Sequence, residues 1–234
     1  MLVVVASRHD AAARDLVSRW AAHDAVLLTS ADLSVAGWRH YIGARGASTA
    51  VAGGRVIDVA DIQGVLTRLP SVTEAELPHI VSDDRGYVAS EMTAFLLSWL
   101  SSLACPVINH PWPGCLVGPN WRQARWFLLA SRMGIPTRAM GRHVKLSDDS
   151  ISQPLDNDPV AVTVVGHHCF GSTDATINNY ALRISKAADA ELLTAYFIEE
   201  SSGAEFIGVQ LCPDIPSGEM ADAVLELLTG GEVC

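Results

Sequence analysis

Four groups of side chains in this sequence have the types and spacing to do chemistry. His167-His168-Cys169, after Gly166, is a candidate soft metal site that Cys212 or His143 would complete, because imidazole and thiolate together suit copper or zinc. Adjacent histidines in a strand point to opposite faces, so the turn is read instead as an exposed polar loop, and no metal is expected. Cys105, Cys115 and Cys169 are candidate nucleophiles if a histidine activates the thiol. Cys105 opens a buried strand, Cys115 follows Pro-Gly and Cys234 is terminal, so ordinary reduced thiols are expected. Arg68, Glu91 and Asn109 stand at the ends of apolar elements, where ligand sites on open α/β sheets collect; the alternative there is an internal Arg68–Glu91 salt bridge. Arg122, Arg125 and Arg132, with Trp121 and Trp126, could receive an acidic peptide through charge and aromatic packing, and a solvated face would account for them as well. The binding candidates are thus Arg68, Glu91, Asn109, Arg122 and Arg125, and no catalytic residue is assigned.

Composition narrows the classes these residues can serve. A net charge of −10 excludes a nucleic-acid partner as the expectation. Apolar residues make up 49%, yet no run approaches the roughly 18 residues that cross a bilayer, so no membrane role is expected. Met1 to Ser7 lacks a basic leader and runs into Arg8-His9-Asp10; it reads as a buried strand of a cytoplasmic protein. Five cysteines with no CxxC spacing argue against a disulfide framework or a zinc knuckle. The only lysines are Lys145 and Lys186, against fourteen arginines.

The elements that must position these groups follow from periodicity. Leu2 to Ala6 reads as a strand, Ala11 to Ala22 as a helix and Ala25 to Leu28 as a second strand, an opening βαβ unit. Gly53-Gly54 predicts a hairpin between residues 48–52 and 55–59. Gly64 to Arg68 is a strand stopped at Pro70, Tyr87 to Leu103 a helix, and Cys105 to Asn109 the next strand before His110-Pro-Trp-Pro-Gly. Asn120 is expected to cap a helix that runs through Met133. Further expectations are a strand over 138–145, a polar linker over 147–159, a strand over 160–165 with a turn at 166–168, and a helix over 187–194. A hairpin over 195–210 and a helix over 218–228 complete the chain.

This order, with its local text, resembles the ATP-grasp superfamily, closest to the ligases that crosslink or extend ribosomally made peptides (graspetide-type). The residues that carry the resemblance are Val65-Leu66-Thr67-Arg68-Leu69-Pro70, Glu91, Val107-Ile108-Asn109-His110-Pro111, Asn120-Trp121-Arg122 and Met133-Gly134-Ile135-Pro136-Thr137. Val160 to Gly166 with Phe170, and Phe206-Ile207-Gly208-Val209-Gln210-Leu211-Cys212-Pro213, resemble the family's later strands. The resemblance implies an α/β fold: a pre-ATP-grasp βαβ domain over 1–110 and a reduced ATP-grasp-like α+β region over 111–234. It also implies a peptide or protein partner and a homodimer, as such ligases often form.

The departures from the family pattern set the expected function. Gly208 stands where the family has Glu, Gln210 where it has Asn and Trp121 where it has a helix-start lysine. Between Thr137 and Val160 the chain is too short for the family's lid. Magnesium requires oxygen ligands and phosphoryl transfer requires cations, so no cofactor is expected, with ATP and magnesium as the alternative. The expectation is a degenerate, noncatalytic binder of a peptide or carrier in peptide or natural-product modification. The alternatives are an ATP-dependent amide- or ester-forming ligase, or a repurposed enzyme acting on a peptide.

Overall fold

The computed structural model of the protein describes residues 1–42, 47–138, 158–200 and 203–230. The first strand, β1 (Leu2–Val5), is buried at all four positions, as a central parallel strand covered on both faces must be. It feeds α1 (Ala11–Arg19), whose N-cap Asp10 accepts the Ala13 N–H, and then β2 (Val26–Leu28). The Gly53-Gly54 signal is borne out: β3 (Thr49–Ala52) and β4 (Arg55–Asp58) pair in antiparallel, with both glycines at positive φ (58° and 74°). β5 (Gly64–Thr67), α2 (Arg85–Ser102) and β6 (Val107–Ile108) complete a four-stranded parallel sheet of order β2-β1-β5-β6.

Side-chain alternation along β1 divides the core. Val3 and Val5 face the hairpin and the α2 residues Leu96, Trp99 and Leu100. Leu2 and Val4 face Leu16 of α1 and Met220, Val224 and Leu228 of the last helix, α5 (Gly218–Thr229). Ser217 caps α5, and Gly230 at φ 66° ends it, so α5 closes a face of the first sheet.

The second sheet is antiparallel: β7 (Val160–Val165), β8 (His168–Phe170), β9 (Leu192–Glu200) and β10 (Gly203–Gln210), in the order β10-β9-β7-β8. One face carries α3 (Gln123–Arg132) and α4 (Ala175–Ala188), packed on Val162, Val164, Phe197 and Phe206. The described residues form an α/β fold of two four-stranded sheets and the two-stranded β3–β4 hairpin. No helix among the described residues is long and apolar enough to cross a membrane.

Two helices differ from the periodicity reading. The helix expected over 187–194 is α4, a dozen residues earlier: Asp174 caps it, Ile177, Ala181, Ile184 and Ala188 form its buried stripe, and Asp189 at φ 51° ends it. Leu192 to Thr194 then belong to β9, where Leu193 and Ala195 are fully buried. α3 begins at Gln123 with Arg122 at the N-cap position, not at Asn120. Of the strand expected over 138–145, Arg138 alone is described: its N–H donates to the Phe206 carbonyl, beside Thr137, which bridges Phe206 in parallel. The remainder, with the linker over 147–157, lies outside the described residues.

Gly64 shows how closely α5 is seated, because a methyl group there would overlap the Leu228 carbonyl oxygen. Alanine favours a strand interior over glycine on backbone entropy, but the overlap reverses the sign. Gly64→Ala is expected to lower stability by about 1–3 kcal/mol in denaturant unfolding.

Candidate functional site

Parallel strands bring their C-terminal ends to one edge, which here meets the second sheet. Arg68 follows β5, and its side chain is only 5% exposed. Its Nε donates to Asp10 Oδ2 (2.8 Å), Nη1 donates to the Pro213 carbonyl (2.8 Å), and Nη2 lies 3.9 Å from the exposed Asp214 carboxylate. Asn109 follows β6 in the left-handed region (φ 54°). Its amide donates to the Leu192 and Leu211 carbonyls (2.5 and 3.2 Å), and its oxygen accepts the Leu192 N–H (2.9 Å). Gly118, in the loop after β6, has φ 111°, a conformation that favours glycine, and a Cβ added there would lie 3.4 Å from Asn109 Cβ.

Beside this junction is a cleft of about 290 Å³, walled by Cys115, Asn120, Trp121, Trp126, Gln210 and Cys212 among others. Trp121 and Trp126 lie 4.8 Å apart, and the Arg125 guanidinium sits 4.2 Å over the Trp121 ring. The buried Trp121 Nε1–H has no acceptor among the described residues. Gln210 is committed at both ends: its oxygen accepts the Tyr196 hydroxyl (2.6 Å) and its nitrogen donates to the Cys212 carbonyl (3.0 Å). By register, Gly208 lies opposite Tyr196 and Gln210 opposite Thr194, whose hydroxyl bonds Thr163 (2.7 Å). These residues lie on the sheet face away from α3 and α4, so that face is polar but neutral there.

Of the binding candidates, Arg68 and Asn109 meet at the junction. Glu91 is exposed on α2, and the Arg68–Glu91 salt bridge weighed above is not formed, because the end of the adjacent strand β1 presents Asp10 to Arg68 first. Arg122 and Arg125 are exposed at the start of α3, beside the cleft. His167 and His168 are exposed at the β7–β8 turn, and Cys169 Sγ donates toward the Asn178 carbonyl (3.7 Å). Among the described residues no three His, Cys, Asp or Glu converge on a point that could hold a metal; His143 lies outside them. Asp10 and the Tyr196–Gln210 pair were not anticipated. The helix-start pattern after Ser7-Arg8-His9 marks Asp10 as a cap, whereas nothing local announces a contact between β9 and β10 side chains.

Burial pushes the Cys105, Cys169 and Cys212 thiols up. At Cys212 the Arg68 guanidinium opposes this rise and Asp10, Asp214 and Cys115 add to it. An activated nucleophile needs the opposite shift.

No protein-family model matches the chain, and no curated protein matches it by sequence. Solved structures do match its fold. The macrocyclase MdnC of Microcystis aeruginosa MRC, crystallised with the precursor peptide MdnA, superposes with a TM-score of 0.69 at 11% identity, over 97% of this chain and 99% of that one. MdnB, a macrocyclase from the same organism, gives 0.69 at 14%, over 98% and 99%. A RiPP-associated ATP-grasp ligase of Chryseobacterium gregarium, solved with ADP and leader and core peptide, gives 0.66 at 10%, over 98% and 96%. The resemblance read from motif order is thus borne out as a shared fold: the chain has the architecture of the peptide-modifying ATP-grasp ligases.

Removing one partner of the Asp10–Arg68 pair leaves a buried charge. Asp10→Ala is expected to cost about 3–5 kcal/mol in chemical denaturation, with Asp10→Asn, which keeps the helix cap, falling between it and the parent. Iodoacetamide at mildly alkaline pH should modify Cys105, Cys169 and Cys212 more slowly than free cysteine, as read by mass spectrometry of the native protein.

Proposed function

We propose that this chain, built on the fold of the peptide-modifying ATP-grasp ligases, is a noncatalytic member of a peptide- or natural-product-modification pathway that binds a peptide or carrier beside an active enzyme. The observation that carries this is the donor set of β10. Magnesium needs several oxygen ligands in near-octahedral order, usually with carboxylates among them. Gly208 offers no side chain, and the Gln210 carboxamide is engaged by Tyr196 and Cys212. The one carboxylate within β10, Glu205, pairs with Ile198 toward the hairpin end of the strand. These residues do not fit a magnesium–nucleotide complex, and no ligation step is assigned to them.

Peptide binding is supported by the cleft. At about 290 Å³ it sits at the lower end of ligand pockets, roughly 300–1,000 Å³, so it suits one or two side chains of a peptide lying across the surface. Arg122 and Arg125 beside it are the proposed peptide contacts; Arg68 and Asn109 hold the floor on which the cleft rests, and Glu91 lies apart on α2. MdnC and the Chryseobacterium ligase were both solved with bound peptides, which favours a peptide as the class of partner. In this proposal residues 1–110 and 111–234 are two working units, the setting is cytoplasmic and the assembly is a homodimer.

The test is thermal unfolding with magnesium and ATP. A ligand at a hundred times its Kd adds about 2.7 kcal/mol, and each kcal/mol moves the midpoint of a chain this size by roughly 2–4 °C. No shift with ATP, together with a rise on adding pathway peptides, is the expected result. A clear ATP shift would replace this proposal with an ATP-dependent amide- or ester-forming ligase.

A further inference from the structure

Charge in this chain is distributed unevenly. Against an overall balance of −10, the stretch from Met92 to Ser147 holds no Asp or Glu at all. Its described part, to residue 138, carries Arg122, Arg125, Arg132 and Arg138, so α3 is a cationic element in an acidic molecule. None of these arginines forms an ion pair among the described residues.

The stripe they make is ordered. Trp126 and Ala130 turn into the core of the second sheet, which leaves Arg125, Leu128 and Arg132 on the outer side at helical spacing. Leu128 is 51% exposed between the two arginines. Arg125 is held over Trp121, and Trp121 walls the cleft, so the stripe and the cleft are continuous. A guanidinium presents a planar fork that matches a carboxylate in bidentate fashion, and the Trp121 Nε1–H has no acceptor among the described residues.

We infer that the outer face of α3 is the docking surface for a carboxylate-rich peptide segment, with an apolar residue on Leu128 and a side chain in the cleft beyond Trp121. This rests on the peptide-binding proposal above and specifies its partner by charge. Arg125 and Arg132 are seven residues apart, about 10 Å along the helix. Acidic residues three apart in a polyproline-type extended peptide are about 9 Å apart on one side, so a Glu-x-x-Glu spacing fits the pair. Asp214, two residues past the cleft wall at Cys212, would disfavour an acid placed in the cleft, so the acidic residues of the peptide lie along α3 and a neutral side chain enters the cleft. A nucleic acid offers anions too, but along its whole length, against the acidic remainder of the chain.

The experiment is fluorescence anisotropy with a short labelled Glu-x-x-Glu peptide that carries leucine between the acids, titrated with the full chain at low and at physiological salt. Binding that weakens with salt is expected. So is a loss of roughly tenfold in Arg125→Glu/Arg132→Glu, as two charge reversals on an exposed face imply, with Arg55→Glu near the parent value. Unchanged thermal midpoints in both variants keep the comparison one of binding. No binding of the acidic peptide by the parent chain would overturn the inference, as would equal binding of a Lys-x-x-Lys peptide or a single-stranded oligonucleotide. Binding that survives the α3 reversals would overturn it too, while leaving the chain a peptide binder. A stabilising effect of ATP would remove the noncatalytic proposal and leave this docking surface standing.

Discussion

The two sheets are joined through a buried guanidinium. Arg68 sits at the edge of the parallel sheet with almost no access to water, and a charge in that position is tolerated only when it is paired and hydrogen-bonded. Asp10 supplies the counter-charge from the neighbouring strand end, and the Pro213 carbonyl supplies the second acceptor from the far end of the chain. The same Asp10 caps α1, so one carboxylate sets both the first helix and the pocket for Arg68. Movement of the segment after β10 would strip the guanidinium of an acceptor, and this ties the position of the second sheet to the first. Asn109 repeats the device one strand over. It accepts a left-handed backbone, which asparagine tolerates better than most residues, and in return pins Leu192 and Leu211.

With the junction rigid, the character of the neighbouring sheet face becomes decisive. Thr163, Thr194, Tyr196 and Gln210 bond in pairs across strands, so their polar groups are satisfied within the chain. A satisfied neutral layer has little to offer a divalent cation, which must be given oxygen atoms free to turn toward it. The bulge between Phe206 and Gly208 matters here, because the extra residue sets Gly208, rather than Ile207, opposite Tyr196 and leaves space above the strand where a side chain would otherwise stand. The fold can therefore carry a sheet face whose polar groups are satisfied within the chain and whose chemistry suits contact with neutral backbone groups.

Much of this architecture could be read from the sequence because it rests on local rules. β1 is a short run of apolar residues, and β5 is another that ends at the buried Thr67; only a strand covered on both sides buries such a run. Gly53-Gly54 specified its turn because two consecutive positive φ values favour glycine at both places. α4 was misplaced because its start is marked by Asp174 and its end by Asp189, while the alanines of 187–190 suggested a continuing helix. The site was harder to read. Arg68 and Asp10 are 58 residues apart, and Arg68 and Pro213 are 145 apart. Spacing along the chain carries no information about such pairs; strand order does. Glu91 was as reasonable a partner for Arg68 until the parallel pairing of β1 with β5 put Asp10 at the same edge.

The acid-free stretch marks a boundary that sequence periodicity did not. Within it the chain builds the part of α2 after Glu91, then β6, the proline-rich loop and α3, without a single carboxylate, although the acidic remainder could readily have supplied partners for the arginines. A solvated helix face normally mixes both signs, since i to i+4 pairs add a little stability and opposite charges limit unwanted association. α3 forgoes those pairs, and it keeps Leu128 exposed between two guanidinium groups. Stability within the chain gives no reason for that arrangement. A partner that brings the missing carboxylates does, and it would find its counter-charges already displayed on a helix anchored through Trp126 and Ala130 to the core of the second sheet.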